Sequence, residues 1–242
     1  MTPLRHTHRL RSVIPKAGRQ LLYDWHPSRA RRWRRHAGVE RVDPNGQAVV
    51  TLDDGPDEDA TPAVLDALDQ ISAHATFFVL ASQLRDHAEI AREVVRRGHE
   101  IGLHGYDHDR HDRISSTQSR LDVVRGYGEV AEHVGVRCRW YRPPYGRMST
   151  ASAHACQELG MTPVYWSAWG HDWESISAQR IAAIASAQLD DGAILLLHDS
   201  ARHARRPSAR PTAEAILLIA SLAAERQIEL VSIGEAIADG GL

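Results

Sequence analysis

The 242-residue sequence holds two cysteines, Cys138 and Cys156, and neither stands in a CxxC or other metal-ligand spacing. A cysteine-built zinc module is thereby excluded, leaving at most one disulfide or two buried thiols. No apolar run is long enough to span a bilayer. No apolar run of signal-peptide length follows the basic N-terminus, so the expected location is cytoplasmic or peripheral at the inner membrane face. Zinc-finger, helix-turn-helix and stacking-aromatic signatures are lacking, and nucleic acid is not an expected partner. The first strand-like run has no glycine-rich phosphate loop after it, which speaks against an open doubly wound sheet.

What is present is unevenly distributed. The net charge of −2 combines 11 Lys+Arg against 2 Asp+Glu in residues 1–41 with 18 against 29 in the rest. Residues 1–42, rich in Arg and His, read as a basic extension of a domain spanning 43–242. Its run 29–36 suits either a short basic helix touching an anionic membrane or a solvated arm. Fifteen histidines invite a search for metal sites, since imidazole is a common metal ligand.

After the turn cluster Asp43-Pro44-Asn45-Gly46, strand and helix signals alternate. Apolar and β-branched runs predict strands at 48–52, 76–80, 100–103, 139–142, 163–166, 193–197 and 228–233. Apolar residues at helical spacing predict helices over 61–71, 87–97, 117–134, 149–159, 177–189 and 212–226. The first takes Thr61 as N-cap, and Gly126 with Gly128 weakens the third. Near-continuous apolar strands belong to a parallel sheet covered on both faces. Repeated strand–helix alternation over this length predicts a closed or nearly closed α/β barrel.

Polar residues gather at the ends of these strands. Val49-Val50-Thr51-Leu52 runs into Asp53-Asp54-Gly55-Pro56. Alternate pleating sends the two carboxylates to different faces, which suits one on a metal and one free as a base, or simply a polar turn. His104 and His108 follow the third strand and can join Asp54 around an ion, with His111 and Asp107 as competing ligands. Arg142-Pro143-Pro144-Tyr145-Gly146 offers a guanidinium for a carboxylate. It also offers the Tyr145 N–H for a developing oxyanion. His198 ends another strand on the face it shares with Leu196, where it can act as an acid. Asp172 can hold its imidazolium, and Trp173 with Leu196 can wall an apolar pocket.

Thr51-Leu52-Asp53-Asp54-Gly55, His104-x-x-x-His108, Arg142-Pro143-Pro144-Tyr145-Gly146, Asp172-Trp173 and Leu196-Leu197-His198-Asp199 occur in this order over residues 47–233. In this the chain resembles the polysaccharide deacetylases, the NodB-homology domains of carbohydrate esterase family 4. The resemblance implies a distorted (β/α)7 barrel and a hydrolase that removes N-acetyl or O-acetyl groups from a sugar, oligosaccharide or glycolipid. It implies Asp54, His104 and His108 as ligands of a divalent metal, usually zinc. It also implies Asp53 as base tethered by Arg142, the Tyr145 N–H as oxyanion donor, and His198 as acid held by Asp172. Trp173, Leu196 and Pro144 would line the substrate pocket.

Three departures from the family pattern stand out. Gly105 replaces the Ser or Thr that usually braces the histidine loop, so a brace must come from elsewhere. Leu52 replaces a common Phe, and Trp169 stands near a usual aspartate, where it and His171 would reshape the substrate groove. The lack of a leader leaves room for an intracellular glycolipid or small acetylated sugar in place of a wall polymer. Alternatives are a same-fold amidohydrolase acting on a cyclic amide or ureide, and a catalytically silent carbohydrate- or membrane-binding module.

Overall fold

A computed structural model describes residues 38–240. The basic run at 29–36 lies outside the described residues. Alternate residues of β1 (Gln47–Asp53) face two different apolar layers. Val50 and Leu52 pack outward with Phe77, Val79, Leu195 and Leu197. Val49 packs inward with Phe78, Val164, Ile194 and Val231. Burial on both sides explains why the strands read as continuous apolar runs.

Every pairing between named strands is parallel. β2 (Thr76–Val79), β3 (Glu100–Leu103), β4 (Trp140–Tyr141) and β5 (Thr162–Pro163) follow β1 on one side. β7 (Ile194–His198) and β6 (Ala168–Trp169) lie on the other. β8 (Glu229–Val231) pairs the first half of β1, and Val49 is matched to both Ile194 and Val231. The sheet curls into a half-barrel that is open between β5 and β6.

Residues 39–41 cross that opening. Val39 bridges Val164, and Arg41 bridges Ala193. The folded unit therefore takes in residues that the sequence assigns to the extension. The expected strand at 163–166 pairs with β4 through Thr162–Pro163 and with Val39 through Val164, and strand pairing resumes at Ala168–Trp169.

Helices cover the outer face: α1 (Ala60–Gln70), α2 (Leu84–Arg96), α3 (Ser116–Val134), α4 (Thr150–Glu158), α5 (Ala178–Ser186), α6 (Arg210–Glu225) and α7 (Ile233–Gly240). Their ends have identifiable causes. Ser115 and Gln118 form a capping box at α3, and Gly135 ends that helix in the left-handed conformation. Ser149 and Ser152 cap α4 reciprocally.

Thr61 does not cap α1. The N-cap is Asp59, and Asp57 Oδ1 accepts from the N–H groups of Asp59 and Ala60. The Thr61 hydroxyl is used elsewhere: it donates to Asp199. α2 begins at Leu84, earlier than expected, with a kink at His87. α7 takes up Ile233, the last residue of the expected final strand. Among the described residues no helix is long and apolar enough to cross a membrane.

Candidate active site

The C-terminal tips of β1, β3, β4 and β7 face one mouth of the half-barrel, the edge where parallel α/β sheets carry their sites. On β1 the inward set is Val49, Thr51 and Asp53. Asp53 is the last strand residue and is buried. Asp54 does not continue the pleat: its backbone is left-handed, at φ 77°. The two carboxylates thus separate by a backbone turn, and both reach toward His104. Its Nε2 lies 3.7 Å from Asp53 Oδ2 and 3.4 Å from Asp54 Oδ1.

Asp54 Oδ1, His104 and His108 each present one atom, and the three atoms lie within 4.8 Å of one another. His104 Nδ1 donates to the Arg142 carbonyl at 2.8 Å, which turns its Nε2 toward the site. His108 Nε2 stands 3.3 Å from Asp54 Oδ1. These separations exceed a charge-assisted hydrogen bond of about 2.7–2.9 Å, and Asp54 Oδ1 is buried with no hydrogen-bond partner.

A carboxylate oxygen left bare against two imidazole nitrogens is costly without a cation. One carboxylate with two imidazoles is also a donor set that suits zinc and its neighbours. The residues present therefore fit a divalent metal. Burial opposes ionisation of Asp54, but His108, then His104 and His198, outweigh it and hold the carboxyl well below the usual range. Burial pushes His108 down to about 3, leaving a neutral ring. For His104 burial acts downward too, but Asp53 and Asp54 outweigh it and hold the ring up, so a metal entering there displaces a proton.

Arg142 is fully buried. Its Nη1 donates to Asp53 Oδ1 at 2.8 Å and to Thr51 Oγ1 at 2.7 Å, and its Nη2 to the Tyr165 carbonyl at 2.9 Å. The guanidinium lies 4.2 Å from the centre of the Phe78 ring. This fork leaves Asp53 Oδ2 facing the histidines. The prolines after Arg142 lead into a short 3₁₀ turn, Pro144–Gly146, in which Tyr145 has φ 58°. The turn's hydrogen bonds run from Gly146 and Arg147 to Pro143 and Pro144, and neither uses the Tyr145 N–H. The Tyr145 ring is 46% exposed and packs on His108, centres 4.4 Å apart. Pro144 is buried.

His198 closes the opposite side. Its Nδ1 lies 2.9 Å from Asp172 Oδ1, and its backbone N–H donates to Asp172 Oδ2 at 2.8 Å. Burial works against the imidazolium, but Asp172 and then Asp54 and Asp53 outweigh it and raise His198 to about 9. Trp173 meets His198 edge-on, centres 5.7 Å apart. Leu196 is buried on the His198 face of β7. Trp169 is buried within β6 beside Leu196, so it is a wall residue and not a groove ridge. His171 stacks on Trp173 at 4.8 Å.

The structure does not bring His111 or Asp107 into the ligand set. His111 is buried with Nε2 on Asp122 and Nδ1 on the Tyr141 hydroxyl, and Asp107 is exposed.

Several contributors escaped sequence reasoning. Arg206 is buried and donates to Thr212 Oγ1, to the His198 carbonyl and to Asp172 Oδ2. Thr212 in turn donates to Asp172 Oδ2 at 2.8 Å. In sequence Arg206 belongs to a basic connection, Arg202 to Arg210, of the kind that is usually solvated. Asp199 accepts from Gly55 N–H and from Thr61 Oγ1, clamping the first and last motifs together. Burial pushes it up to about 7. His203 stacks on His108, centres 4.2 Å apart.

A curled parallel sheet with an Asp-His-His cluster at the strand tips, beside an arginine-held aspartate and an aspartate-held histidine, defines an α/β half-barrel with a candidate metal site. The polysaccharide deacetylase family model matches residues 41–164, just over half of the sequence, and the chain belongs to that family. The matched segment contains Asp53, Asp54, His104, His108 and Arg142, and ends before Asp172 and His198.

The chain is 37% identical over 172 residues to a chitooligosaccharide deacetylase of Azorhizobium caulinodans, with 66% of this chain and 77% of that one covered. It is 31% identical over 161 residues to a peptidoglycan-N-acetylglucosamine deacetylase of Listeria monocytogenes, covering 66% of this chain but only 34% of that protein. Among solved structures, a family 4 acetyl xylan esterase from Clostridium thermocellum, in complex with a cobalt ion, superposes with a TM-score of 0.71. It is 30% identical, and 79% of this chain and 90% of that one are covered.

Proposed function

We propose that this protein is a metal-dependent deacetylase of N-acetylated glycans, chitooligosaccharides or peptidoglycan fragments, releasing acetate from a linear amide. The convergence of Asp54, His104 and His108 within 4.8 Å carries the reading. The similarity to chitooligosaccharide and peptidoglycan deacetylases supports the substrate class. It favours such glycans over a glycolipid. Zinc is the proposed metal, because a carboxylate with two imidazoles is a set it favours. When bound, it supplies Lewis-acid polarisation of a carbonyl oxygen and lowers the pKa of water.

The chain's own groups divide the remaining work. Asp53, oriented by Arg142, takes a proton from the attacking water through Oδ2. The Tyr145 N–H donates to the oxygen that becomes negative. His198 carries a proton at neutral pH and gives it to the leaving amine, which departs poorly unless protonated. Trp173 and Leu196 hold the acetyl methyl and exclude water. The basic segment 1–42 supports a location at an anionic membrane face, which remains part of the proposal.

Acetate release measured across chitooligosaccharides, peptidoglycan fragments and acetylated xylan tests the reading. Release from the N-acetylated glycans is expected. No acetate from any of them with metal supplied would overturn it in favour of a binding module. Ring opening of a cyclic amide without acetate would point to the other hydrolase.

A further inference from the structure

Gly105 leaves no side chain to brace the loop between the two ligand histidines, and its surroundings explain why. Its φ is +97°, and a Cβ there would stand 2.7 Å from Asp122 Oδ1 and 3.0 Å from the Asp107 carbonyl. Both backbone and space exclude a side chain. The intruding group is a carboxylate from the second turn of α3, and both of its oxygens are engaged. Oδ2 accepts from the Asp107 N–H at 2.9 Å, inside the loop and one residue before His108. Oδ1 is 3.0 Å from His111 Nε2. His111 is held in turn from Nδ1 by the Tyr141 hydroxyl at 3.1 Å, and both side chains are buried. Tyr141 lies on β4, directly before Arg142.

One carboxylate therefore links the loop carrying both histidines to the strand carrying the arginine. The same helix supports the loop twice more. At Gly126 a Cβ would stand 3.1 Å from Gly105 C and Tyr106 N, and Arg125 lies 3.6 Å over the Tyr106 ring.

We propose that Asp122 is a positioning residue for the metal site, fixing the His104–His108 loop through Asp107 N–H and His111 in place of a side chain at position 105. The proposal rests on the metal reading above. A carboxylate bonded to two loop groups restricts where His108 can swing, and loss of such outer partners typically costs about 10–100-fold in metal affinity.

The test is titration of Co²⁺ into the metal-free full-length protein, followed by the visible absorption of the bound ion. Asp122→Ala is expected to weaken Co²⁺ binding by about 10–100-fold and to change the spectrum. Asp122→Asn retains one acceptor and should fall between, and it serves if the alanine variant does not fold. Val123→Ala, on the same helix and in the core, should lower Tm but keep Co²⁺ affinity and spectrum. Wild-type affinity and spectrum in both Asp122 variants would overturn the proposal alone, as would Val123→Ala losing affinity in step with its Tm. A wild-type protein that binds no Co²⁺ would overturn the metal site and the proposal with it.

Discussion

At the scale of single residues, the site separates two neighbouring aspartates by backbone and two histidine roles by partner. Asp53 ends the pleat and is claimed by Arg142. Asp54 turns at φ 77° and is left to the histidines. The imidazole with a carboxylate on Nδ1, His198, gains a proton. The imidazole buried with no partner on Nδ1, His108, loses one. His198 is raised to about 9 from an ordinary value of 6.5. Its contribution to stability is therefore fully present below about 6.5 and lost as pH rises through about 9.

With His198 as the proposed general acid, the same shift sets an alkaline limit on activity, because the acid is needed protonated. Asp172→Asn should move the alkaline limb of kcat/KM from near 9 toward 6.5 and reduce the rate at neutral pH. An unmoved limb would show that Asp172 does not control the acid. The family resemblance already pairs Asp172 with His198. Arg206 and Thr212, which share the Asp172 carboxylate, were not legible. Their contacts depend on how a long basic connection folds back over the mouth, and no local periodicity encodes that.

At the scale of elements, the strands were legible because burial on both faces leaves a continuous apolar signature. The least legible span was 162–169, where tertiary bridging to Val39 interrupts one strand and delays the next. α3 shows what composition alone hides. Gly126 and Gly128 both count as helix weakeners in sequence, yet they differ in place. Gly126 is pressed against Leu103 and the Gly105–Tyr106 backbone, whereas nothing lies within 4 Å of a Cβ at Gly128. Gly128→Ala should stabilise by about 0.5–1 kcal/mol through helix propensity. At Gly126 overpacking of about 1–3 kcal/mol opposes the same gain, and the Ala variant should lower Tm. Thermal unfolding of the two variants checks the opposite signs. Two shifts of the same sign would refute the close approach of α3 to the loop.

At the scale of the whole molecule, the half-barrel converts distant sequence into one mouth. Asp53 and Arg142 stand 89 residues apart and meet at 2.8 Å. Gly55 and Asp199 stand 144 residues apart and meet at 3.1 Å. The order of the motifs made the fold readable before any coordinate, because each lies at the end of an apolar strand. The closure did not read out, since residues 39–41 that span the open side, Val-Glu-Arg, are too short a run to show a strand period and follow directly on a basic segment.

In the proposed function, Asp54, His104 and His108 hold a divalent metal on which glycan deacetylation depends. The most direct test is acetate release from a chitooligosaccharide by protein stripped of metal, with removal verified by elemental analysis, and then by the same sample resupplied with Zn²⁺. Release should be lost on stripping and recovered on resupply, while undiminished release by fully metal-free protein would rule out a metal-dependent reaction.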